Sequence, residues 1–250
     1  MIINLWSTPR TGSNWYASYL HNTYKNENPN TLLIAQYLNH FHFINYIKSG
    51  QTDWIYDYEK NSLYPNYTYD WLKKSIKLSY KAGKRTRSPD EEEQYRIELL
   101  EKHDSGKNPL ILSNHILPMS KKAYEYLFSK ANKNIFIYRE NIVDQLSSYA
   151  LAYTTKMWKP KQDYKVLENI HTPKDVIKNL YERIIYWHQL DKNNCEIIKY
   201  EDINFTDNTQ VKIKKQNSIN PFIQLDQDTQ SYILELNSDY RNRFTFQKTL

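Results

Sequence analysis

Residues 5–15, Leu-Trp-Ser-Thr-Pro-Arg-Thr-Gly-Ser-Asn-Trp, have the types and spacing best suited to gripping an anion. A short apolar run, Met1 to Trp6, breaks into a small polar loop with Pro9 and Gly12, and helical spacing resumes from Trp15 to Leu20. A buried strand that turns tightly into a helix leaves the first helical N–H groups unpartnered and pointing outward, where an anion can take them. Arg10 adds a fixed positive charge beside them. The loop departs from the Walker A pattern Gly-x-x-x-x-Gly-Lys-Ser/Thr. Ser7 stands at the first Gly, and Ser13 and Asn14 stand where Lys and Ser/Thr belong. The loop therefore suits a phosphate-like group held in a different manner from that of an ordinary ATPase. Only four glycines occur in 250 residues, which makes the one at position 12 informative.

The elements that must position this loop follow from the hydrophobic pattern. Besides Met1–Ser7, three short apolar runs bounded by polar turns read as strands: Leu110–Ser113, Asn134–Tyr138 and Glu196–Tyr200. Helical spacing covers Asn14–Tyr24, Met119–Lys130, Asn141–Thr154 and Asp175–Lys192. The stretch Lys84–Arg87 reads as an exposed loop entering a helix that runs from about Pro89 to Lys102, with its acidic residues in the first turn where the helix dipole favours them. Strands alternating with helices predict a parallel sheet covered on both faces, with ligands beyond the carboxyl ends of the strands. Those ends deliver Arg10–Asn14, then Asn114 and His115, then Arg139 with Ser147 in the next helix, then Glu201 and Asp202. Asn141 reads as an N-cap, with Asp144 as half of a capping box. Ser147 then falls in the second helical turn with Arg139 just before the cap, so that both can reach one phosphate, the guanidinium through its fork and the serine through its hydroxyl. Pairing of Arg139 with Glu140 or Asp144 at the surface is the competing arrangement.

Composition bounds the rest. A chain of 250 residues suits one α/β domain, and the aromatic-rich stretch at about 40–105 reads as a helical insertion. Thr31–Lys48 shows mixed helical spacing, and the tyrosines and tryptophans of 50–82 read as a cap over the core. Net charge is +6, which fits an anionic ligand. The basic clusters Lys84, Arg85, Arg87 and Lys212–Lys215 are short, and Asp90–Glu93 offsets the first, so nucleic-acid binding is not expected. One cysteine, Cys195, excludes an intramolecular disulfide and suits a reducing compartment. No run approaches the roughly 18 apolar residues of a membrane span, and the first residues do not form a signal peptide, so a cytoplasmic location is expected. The histidines besides His115 show no ligand spacing beyond His40-x-His42, and no metal site is expected.

Taken together, these motifs resemble the P-loop-like sulfotransferases that use 3′-phosphoadenosine 5′-phosphosulfate (PAPS). The loop of that family reads approximately Pro-Lys/Arg-Ser/Thr-Gly-Ser/Thr-Thr-Trp, and this chain has Pro9-Arg10-Thr11-Gly12-Ser13-Asn14-Trp15. A second family signature, Tyr/Val-Arg followed eight residues later by Ser, is matched by Tyr138-Arg139 and Ser147, with Asp144 between and Tyr149 after. Ser113-Asn114-His115-Ile116-Leu117-Pro118 is similar to the Lys-Thr-His-Leu-Pro of cytosolic members, and Tyr200-Glu201-Asp202 to a later Tyr-Glu-Asp. Order and rough separations agree over about residues 1–205.

The resemblance implies a three-layer α/β/α, P-loop NTPase-like fold around a central parallel sheet, and transfer of a sulfuryl group from PAPS to an acceptor hydroxyl, with adenosine 3′,5′-bisphosphate (PAP) released. It implies that the backbone of Thr11, Gly12, Ser13 and Asn14 cradles the 5′-phosphosulfate, that Arg10 stabilises charge on the bridging oxygen, and that Trp15 packs on the adenine with Tyr200 near it. Arg139 and Ser147 would bind the 3′-phosphate, and His115 would be the general base. Four departures stand out: Asn14 for Thr, Ser113 for the lysine before the histidine, Asn141 for a common proline, and no clear Arg-Lys-Gly segment near the C-terminus, where Tyr240–Phe244 is either its replacement or a basic tail. Acidic residues within 50–100 stay rivals to His115 as base. Tyr153, Trp158 and Tyr164 are candidates for an acceptor pocket, whose ligand is a carbohydrate, a glycolipid or another small hydroxylated molecule. The alternatives are a P-loop-type nucleotide-binding protein or kinase, and a catalytically inactive 3′-phosphonucleotide-binding protein.

Overall fold

The computed structural model describes residues 1–35, 80, 81, 84, 85, 91, 94, 97, 98, 100, 101, 109–115, 121–155, 167–203 and 220–244. They fall into two compact units, the first comprising Met1–Ser7, Ser13–Phe136 and Asn193–Ile197, the second Thr8–Gly12, Ile137–Lys192 and Ile198–Leu250.

The first unit is built on a parallel sheet. Strand β1 (Ile2–Ser7) leads to α1 (Ser13–Glu27) and β2 (Leu32–Ala35), and a two-residue antiparallel pair follows, β3 (Tyr80–Lys81) with β4 (Lys84–Arg85). After β5 (Leu110–His115) come α2 (Lys121–Lys130), β6 (Lys133–Tyr138) and, much later, β7 (Glu196–Lys199). The sheet order is β2-β5-β1-β6-β7, and the pairings of β2 with β5, β5 with β1 and β1 with β6 are all parallel. All six residues of β1 are buried, as expected of a strand covered on both faces. Its one amide, Asn4, donates to the Leu127 carbonyl (2.7 Å) while its Oδ1 stays buried without a partner, and Asn134 on β6 donates to the Phe128 carbonyl and accepts from the Trp6 indole, each at 2.9 Å. Two asparagines thus bind carbonyls in the last turn of α2, where intrahelical donors run out.

The sheet corrects three expectations. Residues 32–35, read as part of a helical stretch, pair with β5 as a strand. Lys84 and Arg85, expected in a loop, are paired with Tyr80 and Lys81. Asn114 and His115 lie within β5 rather than after it, opposite Trp6 and Ser7. Positions 91, 94, 97, 98, 100 and 101 are helical, with Ile97 and Leu100 buried, in line with the helix expected there. Most of the aromatic insertion, the His40-x-His42 pair and Lys212–Lys215 lie outside the described residues.

The second unit packs α3 (Ile142–Thr155), α4 (Lys174–Gln189) and α5 (Gln227–Phe244) around a core that includes Ile142, Leu146, Ala150, Ile177, Leu180, Ile184, Ile233 and Leu236. On α4 the buried residues at 177, 180, 181, 184 and 185 follow the repeat of one apolar helix face, with Trp187 buried beyond them. Tyr240–Phe244, read as a replacement segment or a basic tail, forms the end of α5, whose start is capped by Asp226 accepting from the Thr229 N–H (2.9 Å). Among the described residues no helix is long and apolar enough to cross a membrane.

In the last turn of α4 the ring of His188 is enclosed by Trp187, Phe244 and Tyr240, with centroids 4.7, 4.8 and 5.3 Å away, and its Nε2 lies 2.9 Å from the Tyr240 hydroxyl. Burial, and secondarily Lys192, lowers its pKa from 6.5 to about 4. Between those values the unfolded chain binds a proton that the folded chain refuses, so stability is full above pH 6.5 and falls as the pH drops towards 4. The loss is on the order of 2–3 kcal/mol. Urea titrations at pH 7 and pH 4.5 should show His188→Gln losing less stability on acidification than the wild type, by about that amount.

Candidate functional site

The loop after β1 and the helix after β6 form the centre of the second unit's polar chemistry. In the loop, φ is positive at Arg10 (67°) and Gly12 (74°), with Pro9 and Thr11 on the ordinary side. Alternation of this kind turns successive N–H groups towards one side and makes a concave anion-binding nest. Glycine adopts the left-handed conformation freely, whereas at Arg10 it costs roughly 1–2 kcal/mol and must be enforced by neighbours. The neighbours are visible. Gln145, 1% exposed on α3, donates both protons of its amide nitrogen, one to the Thr8 hydroxyl (2.8 Å) and one to the Pro9 carbonyl (2.6 Å). Thr11 ties the loop to itself through its hydroxyl and the Thr8 carbonyl (2.9 Å). Arg10 Nε donates to the Ser148 hydroxyl (2.9 Å).

Helix α3 starts as its sequence predicts. Asn141 Oδ1 accepts from the Asp144 N–H (3.2 Å) as an N-cap does. Glu201, immediately after the β7 turn, adds its carboxylate to the same end and accepts from the N–H groups of Glu140 and Asn141, both at 3.1 Å. Arg139 precedes this cap. Its Nη2 pairs with Asp144 (3.2 Å), the competing arrangement anticipated above, and its Nε lies 3.9 Å from Glu201 without a hydrogen bond. Its guanidinium lies over the Tyr200 ring at 4.8 Å. Ser147, one turn beyond Asp144 on the same helix face, is fully buried with an unpartnered hydroxyl. Among the described residues the unit therefore offers a guanidinium just ahead of α3 and an unmet hydroxyl in its second turn.

Tyr200 has a second role. Its ring lies so close to Gly12 that a Cβ there would stand 2.3 Å from Cε2 and 2.6 Å from Cδ2. Arg10, Thr11, Gly12, Arg139, Ser147 and Tyr200 are thus residues of one unit. The reading from sequence missed Gln145, Ser148 and the capping carboxylate of Glu201. The available signal was a glutamine and a serine three apart, hence on one helix face.

Ser13, Asn14, Trp15 and His115 belong to the first unit. Ser13 is buried at the start of α1, where Asn14 follows it, and the Trp15 ring stacks on Tyr19 at 5.7 Å with planes 3° apart. His115 ends β5 opposite Ser7, half-buried. Around it the hydroxyls of Ser7 and Ser113 and the amide of Asn114 are buried without hydrogen-bond partners. Unmet polar groups at the carboxyl ends of two parallel strands are the exception in folded proteins. Tyr153 is partly exposed near the end of α3, whereas Trp158 and Tyr164 lie outside the described residues. Among the described residues no cluster of three or more histidines, cysteines and carboxylates is placed to hold a metal.

No model of a known protein family matches the chain, and no curated protein matches its sequence.

Gly12→Ala should therefore act twice. The left-handed backbone costs roughly 1–2 kcal/mol with any Cβ, and the Tyr200 ring must also be displaced from its seat against Arg139. In urea unfolding, Gly12→Ala should destabilise by more than the backbone cost alone, and the same change made in a Tyr200→Ala background should retain only the backbone part.

Proposed function

We propose that the chain is a sulfotransferase that moves a sulfuryl group from PAPS to a hydroxyl of an acceptor. The observation that carries this reading is the second unit's arrangement: a loop whose φ alternates in sign, bearing Arg10, tied to a helix that carries Arg139 at its start and the buried, unpartnered Ser147 hydroxyl. An unmet buried hydroxyl on a helix whose start follows directly on an arginine suits a doubly charged oxyanion, which would accept from both. That is the chemistry required by a 3′-phosphate, the group that distinguishes PAPS from ATP. The missing Gly-Lys-Ser/Thr argues against an ordinary phosphoryl-transfer loop.

In this reading the N–H groups from Thr11 to Asn14, with the Ser13 hydroxyl, hold the 5′-phosphosulfate, and Arg139 and Ser147 hold the 3′-phosphate. Trp15 and Tyr200 supply aromatic faces for the base. PAPS contributes a sulfur made electrophilic by its phosphoanhydride-like linkage. His115 accepts the acceptor's hydroxyl proton as the new oxygen–sulfur bond forms, and the old bond breaks with its electron pair passing to the 5′-phosphate oxygen. Arg10 offsets the charge that gathers there, and being unable to lose its proton it does so at any physiological pH.

Calorimetry with adenosine 3′,5′-bisphosphate and with ATP tests the nucleotide. The bisphosphate should bind at least tenfold more tightly, and Arg139→Ala should abolish the preference; equal binding of ATP, or binding of neither, overturns the reading. With labelled PAPS and a panel of sugar, lipid and phenol hydroxyls, His115→Ala should lower turnover by about 10²–10⁴, the usual contribution of a general base, with bisphosphate affinity unchanged.

A further inference from the structure

We propose that the cleft between α4 and α5 binds a neutral saccharide through Asp239 and Arg243. The site lies within the second unit and uses none of the residues assigned to the nucleotide, so it stands apart from the function proposed above.

Two helix stripes make the cleft. Lys178, Tyr181 and Ile185 recur on one face of α4, and Leu236, Asp239 and Arg243 recur at the same spacing on α5. They line a cavity of about 420 Å³, a size that suits a small ligand, in a kind of place between packed helices where such ligands are held. The helices are joined across it by a short chain of polar contacts. The buried Tyr181 donates its hydroxyl proton to Asp239 Oδ2 (2.5 Å), and Arg243 Nε donates to the same oxygen (2.8 Å). First the tyrosine and then the arginine hold the Asp239 carboxyl below its ordinary range, so it is charged. Both bonds end on one oxygen. Asp239 Oδ1 and the two terminal nitrogens of Arg243 therefore make no hydrogen bond to any described residue, and the two side chains are 41% and 53% exposed.

What is left over is an acceptor and a set of donors side by side. Neighbouring hydroxyls of a sugar require that combination, because each of them both donates and accepts. Charge decides against an ion. The cations on the cleft wall, Lys178 and Arg243, are matched by Glu182 and Asp239, and each is already in a pair, at 3.9 and 2.8 Å. A ligand anion would be set beside two carboxylates and a ligand cation beside two cations, and like charges brought together cost affinity. A neutral polyol meets neither penalty and leaves the Tyr181–Asp239–Arg243 chain intact. Its hydroxyls also gain bonds to charged partners, which are stronger than bonds between neutral groups. Ile185 and Leu236, both buried, and the half-buried Tyr186 supply carbon surface for the C–H groups of a sugar ring.

Titration calorimetry with lactose, maltose, cellobiose and N,N′-diacetylchitobiose tests the site. At least one should bind with millimolar affinity or better. Arg243→Met, which keeps the stem and removes the donors, should weaken that binding about tenfold, the worth of a hydrogen bond to a charged group. Gln189→Trp, at an exposed position lining the cleft, should weaken it too by filling the space without touching Asp239. Both variants should keep the urea midpoint of the wild type, because both positions are exposed. Binding of none of the four sugars overturns the proposal, as does binding that neither substitution changes. Loss of binding accompanied in both variants by a lowered midpoint also counts against it. Tighter binding of phenylalanine than of any sugar overturns the ligand class, since Asp239 and Arg243 would then be reading the paired charges of an amino acid.

Discussion

The carboxylate of Glu201 sits on the N–H groups of Glu140 and Asn141, at the start of the helix that carries Gln145, Ser147 and Ser148. A helix start carries unpartnered donors and a partial positive charge, so a carboxylate there satisfies two demands at once. Asn141 meets a third by accepting from Asp144. With that end fixed, Asp144 holds Arg139, Gln145 holds Thr8 and Pro9, and Ser148 holds Arg10. The contact joins segments 60 and 61 residues apart, and a shift of α3 by one residue would rotate each of these side chains about 100° around the axis.

Arg139 is a cation with partners already in place. Asp144 pairs with it, Glu201 stands 3.9 Å from its Nε, and its flat face lies on Tyr200. A phosphate bound there, as the proposed function requires, would have to exchange for a carboxylate rather than meet a bare charge. Exchange of this kind yields less net affinity than the charges alone would indicate, since the new pair replaces an existing one in a partly solvated setting. It also leaves the choice between ligands to geometry, in which a tetrahedral oxyanion reaching both the guanidinium and the Ser147 hydroxyl differs from a side-chain carboxylate.

The sequence spoke most clearly where local chemistry decides. The helix start at Asn141 and the placing of Ser147 in its second turn follow from capping and from the helical repeat, and both appear. The run Leu32–Ala35 was ambiguous, because four consecutive apolar residues fit a strand or a buried helix equally well, and pairing with β5 decides between them. Asn114 and His115 read as a turn through their polarity, yet ladder pairing uses the backbone, and β1 carries β5 on to its end. Helix α5 passed unrecognised because its buried positions, Thr229, Ile233 and Leu236, are sparse among charged and amide residues. At the candidate site, the Arg139–Ser147 spacing is a property of one segment and could be read directly. The grip of Gln145 on Thr8 and Pro9 spans 137 and 136 residues, and no local pattern announces it.

The buried β1 has a consequence for the chain while it is being made. Its six residues are synthesised well before the strands that pair with its two edges, β5 and β6, which follow some 110 to 130 residues later. At synthesis rates of about 5–20 residues per second, the strand waits on the order of 7–26 s before both its edges are paired. During that interval Ile2–Trp6 is a short apolar segment without charge or proline, the kind that pairs with other chains. The same position that makes β1 the middle of the finished sheet thus leaves it with two open edges until its distant partners have been made.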